Sequence, residues 1–169
     1  KGKSWLKAEM LGEAINSKQF EGSACISLDG TTIIFSSNKK DGFGGNDLWM
    51  ATKDPNGIWG SVVNLGQEIN TKYDDDFPWL TIDGKTLYFS TNGGKGQGSF
   101  DIYSSTRLDD GWTNWSPPEN LGTAINSEGR ELYYRPFEKS GYALYTSTKN
   151  SDGYGDVKIY ITGQPVVKD

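Results

Sequence analysis

Hydrophobic and polar positions alternate along this chain in short runs, and no segment holds a helical period. TIIFS at 32–36 and TLYFS at 86–90 are β-branched and aromatic, with turn residues on either side, which predicts strands. The Asp-Gly pairs just before them, Asp29-Gly30 and Asp83-Gly84, predict tight hairpins, because Gly tolerates positive φ. Residues 24–28 are therefore expected to pair with Thr32–Ser37, and 78–82 with Thr86–Thr91. Third strands are expected at Asp47–Thr52, Asp101–Thr106 and 159–162. Fourth strands, each opening on a Trp, are expected at 59–64 and 115–120, and a matching Trp strand at 4–9.

The pattern repeats. LGEAIN at 11–16 recurs as LGQEIN at 65–70 and LGTAIN at 121–126. DGTTIIFSS at 29–37 recurs as DGKTLYFST at 83–91 and as SGYALYTST at 140–148. NDLW at 46–49 is matched by FDIY at 100–103 and VKIY at 157–160, and Trp5, Trp59 and Trp115 each stand six residues before an LG. Antiparallel four-stranded units repeating at this period describe propeller blades, which bury their faces by leaning on one another around an axis. The reading is an all-β chain, a β-propeller segment of three four-stranded blades. The units span about 11–64, 65–120 and 121–163, residues 1–10 supply an outer strand of a neighbouring blade, and 164–169 begin a linker or tail. Rings need roughly four to eight blades. The chain is therefore expected to be part of a larger ring, or half of a six-bladed homodimer in which the N-terminal strand of one copy completes the last blade of the other. The repeated Trp residues are expected to pack between blades.

Composition narrows the chemistry. The 169 residues carry a formal net charge of -5 and no His. Without His there is no Ser-His-Asp triad, no Cys-His pair and no His-ligated zinc. The single Cys, Cys25, excludes an internal disulfide and reads as a buried, inert thiol. Net negative charge without a basic cluster argues against nucleic acid or an anionic membrane surface as partner. No apolar run is long enough for direct membrane insertion, and no basic-then-apolar leader is visible.

Two groups of residues stand out as candidate sites. The acidic run Asp74-Asp75-Asp76 precedes the 78–82 strand, and by phase Glu21 and Glu131 precede its counterparts. If those strands are innermost, Glu21, Asp75, Asp76 and Glu131 approach the channel and could hold Ca²⁺ through oxygen ligands or attract a basic peptide. The competing reading is a solvated loop with an Asx-turn. Trp79, Trp112, Tyr133, Tyr134, Arg135 and Phe137 break the repeat, which makes them candidates for partner or sugar contact, weighed against simple burial. The Gly-rich loops at 41–47, 95–101 and 152–158 match no calcium-loop spacing and read as flexible connections in which Gly supplies positive φ. Ser27-Leu28-Asp29-Gly30-Thr31 does not match a sialidase Asp box, and Arg occurs only at 107, 130 and 135, so no catalytic residue is assigned.

The run DFPWLTIDGKTLYFS at 76–90, followed by Asp101-Ile102-Tyr103, resembles the TolB-type, WD-repeat-like propeller repeat. Leu28 and Ile82 replace the Pro that precedes Asp-Gly in that family, and Ser140 and Lys158 stand where the other copies have Asp. The long units with an NLGxxIN spacer are similar to repeats of Bacteroidetes envelope proteins. Those proteins often join this propeller to tetratricopeptide repeats and an OmpA-like peptidoglycan-binding domain, and some take part in type IX secretion and gliding. The resemblance implies a non-enzymatic protein-binding scaffold, periplasmic and outer-membrane-associated, with a protein partner of the cell envelope and no cofactor beyond the Ca²⁺ considered above. The alternative it leaves open is a glycan-binding or glycan-processing propeller.

Overall fold

The computed structural model describes residues 4–137 and 139–161. Among them all regular structure is extended, as the patterning predicts. Strands β1 (Glu21–Ile26), β2 (Thr32–Ser37), β3 (Asp47–Thr52) and β4 (Val63–Asn64) form one antiparallel sheet in that order. Strands β5 (Asp75–Leu80), β6 (Thr86–Thr91), β7 (Asp101–Thr106) and β8 (Glu119–Asn120) form a second, and β9 (Glu131–Phe137), β10 (Tyr142–Ser147) and β11 (Asp156–Ile161) a third. Strand β1 packs beside β5 and β5 beside β9, while no strand of the first sheet approaches the third. The three sheets are thus successive blades of an open arc, with their first strands toward the axis.

Hairpin geometry follows the turn residues. Gly30, Gly84 and Gly141 have φ of 71°, 69° and 68°, the left-handed conformation that glycine adopts at no steric cost. Asp29 and Asp83 close their turns by accepting bonds from the backbone amides of Thr31 and Lys85. The core lies between blades. Side chains of one parity on the first sheet, Ile34, Leu48 and Met50, meet Leu87, Phe89 and Tyr103 of the second. Ile102 and Tyr88 of the second meet Tyr134, Ala143 and Tyr145 of the third. The other face of the first sheet carries Ile33, Phe35, Trp49 and Ala51, covered by Ile15.

Four expectations need correction. The axis-facing strands begin three residues earlier than patterning suggests, so Asp75 and Asp76 lie within a strand and not in a loop. The fourth strands are two residues long. Trp59 and Trp115 hold on to the third strands only through single bridges, to Lys53 and Arg107, because Gly60 in one copy and Pro117-Pro118 in the other interrupt the ladder. Residues 4–10 form no strand and Trp5 is fully exposed, whereas Trp115 is 3 % exposed. In the third copy Asp156, not Lys158, is the counterpart of Asp47 and Asp101, since it pairs opposite Ser147 as they pair opposite Ser37 and Thr91. Residue 162 and the tail at 164–169 lie outside the described residues.

The LGxxIN spacer is a joint. After each fourth strand the chain turns over a glycine of positive φ, Gly66 or Gly122. The Asn at its end then acts as a backbone mimic. Asn70 Oδ1 accepts from the Leu48 amide at 2.7 Å, and Asn70 Nδ2 donates to the Leu48 carbonyl at 3.0 Å. Asn126 does the same with Ile102, at 2.8 and 2.9 Å. The loop before each third strand is pinned to the next blade as well: the Asp75 amide donates to the Asn46 carbonyl, and the Glu131 amide to the Phe100 carbonyl. Close approach, not positive φ, explains most glycines in those loops, and of the predicted set only Gly153 and Gly155 have positive φ. A Cβ on Gly98 would lie 2.1 Å from the Gly129 carbonyl oxygen and 2.5 Å from that of Ser127. Gly98→Ala must therefore push the second and third blades apart, at about 1–3 kcal/mol. Chemical denaturation should show that loss, while Gly57→Ala, where a Cβ meets nothing, reports only the cost of its own backbone conformation.

Candidate binding site on the axis-facing strands

Each axis-facing strand carries a bulge at the same place. Pairing with the neighbouring strand slips between Glu21 and Ala24 in β1, between Asp76 and Trp79 in β5, and between Leu132 and Arg135 in β9. An extra residue there bends the strand and re-aims its side chains. In β5 the bulge residue is Phe77, φ 55°, and in β9 it is Tyr133, φ 59°. Aromatic L-residues rarely adopt this conformation, which costs on the order of 1–3 kcal/mol each. The first-blade counterpart, Ser23, pins the second: its hydroxyl accepts the Phe77 amide at 2.8 Å and donates to Asp76.

The strained pair places two rings together, Phe77 and Tyr133, with centroids 4.2 Å apart. They line a groove of about 660 Å³ with Phe20, Asp76, Trp79 and Arg135. A second groove of about 650 Å³ shares Trp79 and Arg135 and adds Phe137 and Lys139. Arg135 stands between them. Its guanidinium lies 4.3 Å from the Trp79 ring centroid and 5.0 Å from that of Phe137. Stacked guanidinium keeps its N–H groups directed outward in the ring plane, ready for a carboxylate or a carbonyl.

Of the aromatic candidates, Trp79, Tyr133, Arg135 and Phe137 come together here. Tyr134 also borders the first groove, but it is 7 % exposed and belongs to the layer between the second and third blades, where burial pushes its phenol to about 12. Trp112 lies elsewhere, tilted against Trp115 with ring centroids 6.3 Å apart and under the Arg107 guanidinium. Phe77 and Phe20 escape the sequence reading. Phe77 sits in the acidic run before Pro78, and nothing in the hydrophobic pattern marks a left-handed residue.

The four carboxylates do not converge. Glu131 is wholly buried and accepts the Ser127 amide at 2.9 Å, the Ser127 hydroxyl at 2.7 Å and the Ser147 hydroxyl at 2.6 Å. Asp75 accepts the Thr71 amide, and Glu21 the Ser17 hydroxyl. All three thus tie down a residue four positions earlier, at the end of each LGxxIN joint. Asp76 accepts Ser23, the Phe77 amide and Asn46 Nδ2. Among the described residues no three acidic or Cys side chains are grouped as metal ligands. Burial raises Asp75 to about 6, and the Cys25 thiol to about 12, which keeps that sulfur unreactive.

No family model matches the chain, and no curated protein does. Among solved structures it is similar to an α-L-arabinofuranosidase from Lactobacillus brevis, with a TM-score of 0.51 and 11 % identity over 85 % of this chain and 52 % of that one. The chain spans about half the length of that enzyme. At this identity the likeness concerns the fold: an all-β, propeller-type arrangement of antiparallel sheets.

Proposed function

We infer that this chain is a non-enzymatic binding scaffold whose ligand, a polypeptide segment of an envelope partner, lies across Phe77, Tyr133, Trp79 and Arg135. The observation that carries the reading is the pair of left-handed bulges. Backbone strain is spent at two adjacent positions, and at both it turns an aromatic ring into the same groove. Rigid aromatics beside a stacked Arg are the residue types that dominate protein-binding hot spots. Two carboxylates border the groove: Asp76 is occupied by three donors of the chain itself, and Glu21 accepts the Ser17 hydroxyl, which favours holding a ligand over moving a proton. The resemblance to TolB-type repeats of envelope proteins supports a periplasmic, outer-membrane-associated setting.

Glycan binding is the second reading. Aromatic rings beside hydrogen-bonding groups also suit sugars, and the fold is shared with an arabinofuranosidase. One experiment separates the two: selection of a displayed peptide library, and a glycan array, on the parent chain and on Tyr133→Ala and Arg135→Ala. Both side chains are exposed, so the fold should survive. Peptides that bind the parent should lose about tenfold or more in affinity on either variant. Sugar binding that the same variants abolish would move the assignment to the second reading, and turnover of any aryl glycoside would end the non-enzymatic one.

A further inference from the structure

We propose that the second blade carries a binding site for a single neutral sugar, on the face it turns to the first blade, where Tyr103, Asn120 and Asp101 supply the hydrogen bonds. The site lies on β7 and β8, away from the axis-facing groove, and does not depend on the reading given for that groove. It rests on a difference between two copies of one repeated face.

In the first blade the chain's own bonds close that face. Asp47 and Trp49 lie two residues apart on β3 and so share a face, and Asn64 stands opposite Trp49. Asn64 Nδ2 donates to Asp47 Oδ2 at 2.8 Å, the Gly44 amide donates to Asp47 Oδ1 at 3.1 Å, and Trp49 Nε1 donates to the Ser37 carbonyl at 3.2 Å. Asp101, Tyr103 and Asn120 hold the same places in the second blade, with Asn120 opposite Tyr103. There the arrangement is open. Asp101 takes the Gln97 and Gly98 amides on one oxygen alone, Oδ2. Asn120 Oδ1 is used by the Gly122 amide and by Asn126 Nδ2. Asp101 Oδ1, Asn120 Nδ2 and the Tyr103 hydroxyl are buried with no hydrogen-bond partner among the described residues. Burying polar atoms unpaired is costly, and a ligand that pairs them recovers the cost.

A recess of about 380 Å³ lies on this face. Tyr103 and Asn120 border it, Phe89 and Pro118 give it apolar walls, and Lys95 and Glu68 stand exposed at its rim. Its size is near the lower end of ligand pockets and leaves room for one ring. The Gly94 backbone lies over the Tyr103 hydroxyl, where a Cβ would collide with the phenol. The glycine-rich loop at 93–98 is therefore the cover, and a ligand reaches the hydroxyl by displacing it.

The polar set selects the ligand. Asn120 Nδ2 needs an acceptor, Asp101 Oδ1 needs a donor, and the Tyr103 hydroxyl serves as either. A ligand hydroxyl meets all three, since it donates one bond and accepts two. A carboxylate or phosphate has no proton for Asp101 and is repelled by it. The ring of Phe89 and the Pro118 side chain suit the C–H face of a sugar, while Lys95 and Glu68 offer a donor and an acceptor to its outer hydroxyls.

NMR titration of the ¹⁵N-labelled chain reads the site through the Asn120 side-chain amide. The probes are glucose, galactose, mannose, arabinose and N-acetylglucosamine, with acetamide as the non-sugar that also donates and accepts. At least one sugar should shift the Asn120 signal with a Kd of about 1 mM or tighter. Tyr103→Phe should lose that affinity at least tenfold yet keep or raise the melting temperature, because the hydroxyl it removes has no partner in the free chain. Tyr103→Trp, which copies the first blade, should abolish binding, and Tyr133→Ala in the axis-facing groove should leave it intact. No shift with any of the five sugars at about 50 mM would overturn the proposal. So would unchanged affinity in Tyr103→Phe, or a lower melting temperature there, which would make the hydroxyl structural. A response to acetamide alone would overturn the sugar, and loss of binding in Tyr133→Ala but not in Tyr103→Phe would return the sugar to the groove.

Discussion

Glu131→Ala is expected to lower the unfolding free energy by about 3–5 kcal/mol, because three buried donors lose their shared acceptor at about 1–3 kcal/mol each. Glu131 is wholly buried and is the shared acceptor for an amide and two hydroxyls, from Ser127 and Ser147. Truncation leaves three donors without a partner and without water. In a domain of this size the melting temperature should fall by roughly 6–20 °C. Glu131→Gln keeps the shape and one acceptor oxygen, so it should lose only about 1–2 kcal/mol. The control is Glu21→Ala. Glu21 stands at the same repeat position, partly exposed, and accepts the Ser17 hydroxyl, and its loss should be about 1 kcal/mol or less. Calorimetry on the three variants checks the ordering. Equal losses at positions 21 and 131 would remove the argument that burial makes this carboxylate decisive.

Stability should also fall as pH rises from about 4 to about 6, and Asp75 should be the principal cause. Burial raises its carboxyl from 3.8 to about 6. Between those values the folded chain holds a proton that the unfolded chain releases. Stability therefore declines with rising pH across that window, and is flat with respect to this group above and below it. The full difference is on the order of 3 kcal/mol. Asp101 is also raised, first by burial, and works in the same direction. Asp29 and Asp83 are held low, first by the hydroxyls of Ser27 and Thr81, so their contribution is lost only below the ordinary carboxylate range. Urea midpoints of the parent and Asp75→Asn, measured at steps from pH 4 to pH 7, isolate the effect. The two curves should converge on one slope apart from the part owed to Asp75. A parent whose midpoint rises steadily through pH 6 would contradict the sign.

Much of the architecture is legible in the residues because blades are written as repeats. Patterning marks the second strands of the first two sheets at their observed bounds, and Asp-Gly marks their turns. Register in the third copy is a different matter. VKIY looks like NDLW and FDIY, yet the true counterpart of DLWM and DIYS is DVKI, two residues earlier. A slip of two keeps every side chain on the same face, so the hydrophobic pattern cannot distinguish the alternatives. Only pairing of Ser147 with Asp156 does. The acidic positions were visible but not their environment, since a carboxylate buried in a strand and one in a solvated loop are spelled alike. The bulges left no trace, because Phe77 and Tyr133 are poor residues for the backbone they occupy. Clustering of Trp79 and Arg135 depends on two strands from different blades and appears only once the arc is assembled.

The Asn joint has a consequence for how such a chain grows. Its donor turn and its acceptor strand belong to successive copies of one sequence unit, and the bond geometry is the same at Asn70 and at Asn126. Duplicating a unit in the gene therefore brings along both the hook and the eye for its neighbours. Lineages can lengthen the arc by whole modules with no change at the seams, and mutation is free to diversify the inner rim of each.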